Sequence, residues 1–351
     1  MTIEDMCKRI FEHNTKYCWD YYNLFHSDSF NYYWNDPEQF VKQMFDHGGK
    51  SSFWEGVQLE EKRYKHMMCA FFLGHYIKKE IPLLANVFEG QDAEFFSWAW
   101  FLCCLYHDAF FDIEREKDVS HSKNRIGRMR GTKYGDDYMK YSRPYFRNGD
   151  GTLYDLKTIN RYDTYRFRYF NGIRDHGIIA GDQLARKYSQ FFCEVQNNTI
   201  ALPDWLKIND RLNEKVQMIA RVIACHNIFI CTKKEDERKY RDCDLEHLIL
   251  TSNNDCKMPK RLSTEGKLYF LLCLCDSIEP TKRGFDDSSS LNFQIDQNCI
   301  TVILTNAGNN ETVEKYIQTQ EELNKWLRYV YVTAGSNYNT TKVNYRIDNV
   351  L

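Results

Sequence analysis

The run Trp98-Ala99-Trp100-Phe101-Leu102-Cys103-Cys104-Leu105-Tyr106-His107-Asp108-Ala109-Phe110-Phe111-Asp112 is apolar almost without pause and contains no Gly or Pro. At 3.6 residues per turn it makes roughly three to four turns. With no polar face to turn towards water, it predicts a helix buried on every side, opening at Asp92 or Ala93. Near its end His107 and Asp108 stand side by side. Burying an imidazole and a carboxylate costs on the order of several kcal/mol unless each has a partner. A metal cation suits both; hydrogen bonds to a neighbouring helix are the plainer solution.

The surroundings of this run favour a mainly helical globule. Only 6 Pro and 17 Gly occur in 351 residues, while Tyr and Phe number 24 and 23. The net charge of −2 does not suggest a nucleic-acid coat or a membrane-surface protein. The 13 cysteines are scattered through apolar stretches with no CxxC pair, so they read as reduced core residues. The start, Met1-Thr2-Ile3-Glu4-Asp5, has no basic and apolar leader, and no apolar run is long enough to span a bilayer. The expectation is a cytoplasmic protein with no membrane contact.

In chain order, 2–25 and 37–46 read as helices of an N-terminal segment ending near 54. The His47-Gly48-Gly49-Lys50-Ser51-Ser52 stretch lacks the spacing of a phosphate loop and reads as a turn. A long helix is expected over 55–80, charged at first and then apolar, carrying His66 and His75. Nine residues at about 100° each put these two on opposite faces, so they cannot share one site. Residues 115–174 show no sustained periodicity and hold 15 Lys and Arg against 7 Asp and Glu. Basic side chains interleaved with rings suit phosphates and bases; packing on the neighbouring core is the alternative. Helices are expected over 175–195, with the small residues Gly177, Ala180 and Gly181 allowing close packing, over 209–230 with His226 embedded, and over 263–278 with Asp276 embedded. From 285 a small α+β appendage begins. It has a hairpin (291–295 and 299–304), a helix (312–327) and strands at 329–332 and 342–347.

His66, His107, Asp108, His176, His226 and Asp276 are thus polar residues stranded in apolar helices. Four imidazoles and two carboxylates match the ligand inventory of one or two first-row divalent ions. In order and context they resemble the HD-domain metal-dependent phosphohydrolases, over residues 55–284. Arg63-Tyr64-Lys65-His66 is similar to that family's first histidine with its preceding arginine, and His107-Asp108 to its name-giving dyad. Asp175-His176-Gly177 and Ala224-Cys225-His226-Asn227 resemble the intervening histidines of the dinuclear branch. Leu274 to Arg283, with Asp276 and the Glu279-Pro280 turn, is similar to the closing helix of bacterial HD hydrolases of dinucleoside polyphosphates. Two departures stand out. The insertion at 115–174 is longer than in minimal members. Met67 replaces a small hydroxyl residue, which keeps His75 as the alternative first ligand, although the Arg63-x-x-His66 spacing favours His66.

The resemblance implies a mainly α fold, an HD-type helical bundle with the appendage at 285–351. It also implies an enzyme that hydrolyses a phosphoester or phosphoanhydride of a nucleotide or short oligonucleotide. His66, His107, Asp108 and Asp276 would hold one ion, and His176 and His226 would add a second, with Asp108 bridging. The ions would be Fe, Mn, Ni, Zn or Co. Asp108 would then be catalytic, with Arg63, Lys282 and Arg283 as candidates for gripping phosphate; Asp112 and Glu114 would orient a ligand histidine. His47, His121 and His247 read as surface residues. Single-stranded nucleic acid is a possible partner. The alternative function is an HD-fold nucleotide or nucleic-acid sensor whose metal is structural.

Overall fold

The helices form where the apolar runs lie: α1 (Glu61–Glu80), α2 (Ala93–His107), the short α3 (Phe111–Arg115), α4 (Leu212–Cys225) and α5 (Thr264–Ile278). The structure, a computed structural model, describes residues 61–81, 84, 93–117, 145–147, 153–155, 176–177, 179–185, 212–227, 264–279, 290–296, 299–305, positions between 313 and 324, 331–334, 337–340 and 342–348. The helices expected at 2–25 and 37–46, Asp175, Lys282, Arg283, the three outlying histidines and most of 115–174 lie outside these residues. What is described is mostly helical with a small three-stranded sheet.

The two most apolar helices lie innermost. Every residue from Ala99 to Phe110 is buried, and so is every residue from Lys267 to Glu279. α4 is amphipathic instead: Val216, Ile219, Ala220 and Ile223 are buried at helical spacing, and Lys215, Met218 and Arg221 are half-buried. α2 packs against α1 and α4, and α5 against α4, α1 and α2. At the α1–α2 crossing the Trp100 ring occupies the space beside Gly74, where a Cβ would come within 2.2 Å of it. A glycine inside this helix costs about 0.5–1 kcal/mol relative to alanine. It admits a wholly buried indole whose Nε1–H donates to the Phe71 carbonyl at 2.9 Å.

Two expected boundaries are corrected. The 98–112 run is not one helix: it stops at His107, turns through Asp108–Phe110 and resumes as α3. Likewise α4 ends at Cys225, so His226 and Asn227 lie in a turn rather than inside a helix. Apolar residues fill a buried turn as readily as a buried helix, so composition carries no mark of either break.

In the appendage, β3 (Ser290–Asp296) and β4 (Cys299–Thr305) form the expected hairpin, with Asp296 opposite Cys299. β7 (Lys342–Asp348) then returns parallel to β4, giving the order β3-β4-β7. Its outer edge is covered by helical positions: the Asn324 amide accepts from the Val343 N–H at 2.9 Å and donates to its carbonyl at 2.7 Å. Gln320 accepts from the Tyr345 N–H at 2.5 Å. These bonds satisfy backbone groups that an edge strand would otherwise offer to another chain. The strand expected at 329–332 is described as β5 (Tyr331–Ala334), and its antiparallel partner β6 (Asn337–Thr340) was not expected, nor was the pair β1 (Tyr145–Arg147) with β2 (Leu153–Asp155) inside the basic insertion.

Candidate metal centre

The ends of the inner helices meet at one buried cluster. His66, His107, Asp108 and Asp276 form one group, and Asp108, His176 and His226 a second; within each, one ligand atom per residue lies within 4.8 Å of all the others. The structure therefore brings together all six residues that the sequence singled out. Asp108 belongs to both groups because its two oxygens face different ways. Oδ2 lies 3.8 Å from His107 Nε2, and Oδ1 lies 3.2 Å from His176 Nε2.

Each of the four imidazoles is held by its Nδ1. His107 Nδ1–H donates to the Cys104 carbonyl at 2.8 Å, and His226 Nδ1–H to the Ile223 carbonyl at 2.7 Å. Both acceptors belong to the last turn of a helix, where carbonyls have no intrahelical partner. The ring thus caps its own helix and aims its other nitrogen outward from the helix end. His66 Nδ1–H donates to Glu279 Oε2 at 2.5 Å, and His176 Nδ1–H to Glu114 Oε2, which also accepts the His176 backbone N–H at 2.9 Å. Carbonyls and carboxylates only accept, so each Nδ1 carries a proton, and in every ring that is neutral Nε2 presents a lone pair.

Those lone pairs converge on other acceptors. His66 Nε2 lies 3.2 Å from His107 Nε2 and 3.0 Å from Asp276 Oδ1, while His107 Nε2 lies 3.4 Å from that same oxygen. Acceptor facing acceptor at such distances repels unless positive charge lies between them. His226 Nε2 is buried in the cluster with no hydrogen-bond partner among the described residues. An unpartnered buried nitrogen costs about 1–3 kcal/mol. Protons or divalent cations would relieve both features, and the donor set (four imidazoles, two carboxylates) is that of a first-row metal site.

Electrostatics separate the rings. Burial, with His176 beside it, pushes the His226 ring down to about 4, so it is neutral at pH 7 with Nε2 available. Burial also opposes protonation of His176, but its hydrogen bonds to the carboxylates of Asp108 and Glu114, and their charge, outweigh it and push the ring up to about 10. A cation at Nε2 and a proton compete for that one lone pair. Gly177 gives the second group its room, because a Cβ there would lie 2.7 Å from His226 Nδ1 and 2.8 Å from the Ile223 carbonyl. Cys273 Sγ–H donates to the His226 carbonyl at 3.2 Å and steadies the turn.

Arg63 sits at the edge of the cluster. Its guanidinium donates to Asp108 Oδ2 at 2.5 Å and lies 3.7 Å above the Phe111 ring, which meets the His176 ring edge-on at 5.0 Å. His75, the alternative first ligand, is elsewhere: its ring packs between Phe71 and Phe96, with centroids at 4.8 and 5.1 Å. Burial and nearby Lys78 push it down to about 3, which keeps it neutral. Glu114 orients His176, as its place just past the dyad allows. Glu279 was not foreseen in that role, although it stands three residues after Asp276 and hence on the same helical face. Among the described residues Cys69, Cys103, Cys104, Cys273 and Cys275 are buried and form no disulfide, and burial pushes the thiols of Cys103, Cys104 and Cys275 up, as expected of reduced core residues. Among the described residues no helix is long and apolar enough to cross a membrane.

No protein-family model, no curated protein and no solved structure matches the chain.

Proposed function

We propose that this chain is a divalent-metal-dependent phosphohydrolase of the HD-domain kind. Its substrate is a phosphoester or phosphoanhydride of a nucleotide or short oligonucleotide. The observation that supports this reading is the inward convergence of four Nε2 atoms on the carboxylates of Asp108 and Asp276, with every Nδ1 committed elsewhere. A buried polar cluster built only for stability would pair donors with acceptors; here the Nε2 atoms of His66 and His107 and Asp276 Oδ1 all lie within 3.4 Å of one another.

In this reading His66, His107, Asp108 and Asp276 hold one ion, and Asp108, His176 and His226 hold another. Bound there, divalent ions supply the charge that activates a water at neutral pH and stabilises the phosphoryl oxygens during displacement. The protein does the rest. Its Nδ1 anchors keep the rings from turning, and the apolar walls of α2 and α5 keep bulk water out. Arg63 steadies Asp108 and keeps further N–H groups for a phosphate oxygen. Lys282, Arg283 and the basic, aromatic residues of 115–174 are assigned the non-transferring phosphates and the base. Single-stranded nucleic acid presents the same groups.

The test is elemental analysis of protein purified without chelator, followed by phosphate release from a panel of nucleotides and oligonucleotides. One or two ions per chain with turnover of at least one substrate is expected. Metal without turnover of any of them leaves a binding protein with a structural ion. Absence of metal after reconstitution refutes the reading.

A further inference from the structure

We propose that Glu279 is a positioning residue of the metal centre, holding His66 in its ligating orientation and serving that half of the cluster alone. This rests on the metal reading above. The four histidines need different anchors because they occupy different places in their helices. His107 ends α2 and His226 follows α4, so each finds a last-turn carbonyl three residues back, that of Ile223 also accepting the His226 backbone N–H at 3.4 Å. His66 lies inside α1, where the carbonyls of the preceding turn already serve the helix ladder. Its Nδ1–H therefore requires an acceptor from another element, and α5 provides one.

Glu279 follows the last residue of α5, and its N–H still donates to the Cys275 carbonyl at 3.0 Å, so it continues the helical turn. Asp276 and Glu279 consequently share a face and flank opposite sides of one ring. Asp276 Oδ1 lies 3.0 Å from His66 Nε2, and Glu279 Oε2 lies 2.5 Å from Nδ1. The Glu279 side chain is 0% exposed. A carboxylate in so dry a place is costly without a partner, and accepting from a ligand imidazole both satisfies it and makes Nε2 a stronger donor to a cation. Glu114 plays the corresponding part for His176 from α3, a separate element. The two halves are thus anchored independently.

The experiment is a zinc or cobalt titration of the full chain, with bound metal counted per chain, for wild type, Glu279→Gln, Glu279→Ala and Glu114→Ala. Glu279→Ala should weaken one of the two ions by about 10–100-fold and leave the other within about twofold. Glu114→Ala should weaken the other ion instead. Glutamine keeps the shape and an acceptor oxygen, so Glu279→Gln should rescue much of the loss and act on the same ion as alanine. In the cobalt form, only the absorption bands of that ion should change. A folded Glu279→Ala that binds both ions as wild type does, or loses both alike, overturns the proposal. Should the alanine variant not fold, Glu279→Gln decides: selective weakening of one ion supports it, and wild-type binding of both overturns it. Wild-type protein that takes up no metal overturns the metal reading itself, and this proposal with it. That failure appears in the control, before any variant is compared.

Discussion

The half of the cluster around His66 and Asp276 is anchored by a wholly buried carboxylate at the end of a long helix, whereas the half around His176 and His226 is anchored from a short helix nearer to water. α1, α2 and α5 supply His66, His107 and Asp276, and the anchoring Glu279 is 0% exposed. The other half takes His176 from a helical stretch, His226 from a turn, and its anchor Glu114 from a five-residue helix. That anchor is 21% exposed. The first half has the carboxylates of both Asp108 and Asp276, while the second shares Asp108 and has no other carboxylate in its ligand set. Anchors within reach of water are screened, and short elements open at lower cost than packed helices. The comparison teaches that one buried cluster can contain two groups able to hold an ion, one firmly anchored and one more loosely, that share Asp108.

The harshest test removes the bridge. Asp108→Ala should empty both halves and abolish turnover, since both groups depend on that carboxylate; retention of one tightly bound ion would show that a half stands without it. Next come the separate ligands. His66→Ala should cost the firm half its ion and His226→Ala the looser half its own, each by more than the roughly 10–100-fold that an outer partner is worth. If both changes emptied the same site, the division into halves would be wrong.

Gly177→Ala probes the looser half without touching a ligand. The new Cβ would press on His226 Nδ1 and on the Ile223 carbonyl, at 2.7 and 2.8 Å. Overpacking of this kind costs about 1–3 kcal/mol. A lower thermal midpoint together with selective weakening of one ion is expected, and a midpoint drop with both ions intact would mean the strain is absorbed elsewhere. Gentler still is graded chelation: metal per chain should pass through a plateau at one as the looser half empties first. A single-step loss of both would contradict the ranking.

The smallest effect concerns His75, outside both halves. His75→Leu should leave metal content unchanged while altering acid stability. The folded ring is pushed down to about 3 from the usual 6.5, so the unfolded chain binds the extra proton between those values. The wild type therefore keeps the full contribution of a neutral His75 above pH 6.5 and loses it as pH falls towards 3. Leucine takes no proton, so the variant's acid unfolding should move to lower pH, by a stability difference on the order of a few kcal/mol. Denaturant unfolding at pH 7 and pH 4 measures it; equal pH dependence in the two proteins would mean that His75 titrates normally.

Much of the site was legible because burial makes polar intruders conspicuous. His107 and Asp108 stand out against a run with no other charged side chain before Asp112, and the nine-residue separation of His66 and His75 already placed them on different faces. The β3–β4 hairpin was legible for a similar reason, since alternation and a short turn define both strands and register. The parallel return of β7 was not, because a strand's own pattern does not name its neighbour. Nor were the breaks after His107 and Cys225, where helix and turn are equally apolar.

The chain by itself determined which segments are buried helices and which polar residues they carry inward, because hydrophobic periodicity and helix propensity act over a few neighbouring residues. Only the tertiary structure decided what those residues do to one another. His66 meets His107 across 41 positions and Glu279 across 213, and no local preference reaches so far. Which ring nitrogen faces the cluster depends on where each histidine falls along its helix. A helix end lends a last-turn carbonyl to Nδ1, as at His107 and His226, whereas His66 in a helix interior and His176 each borrow a carboxylate from elsewhere in the fold.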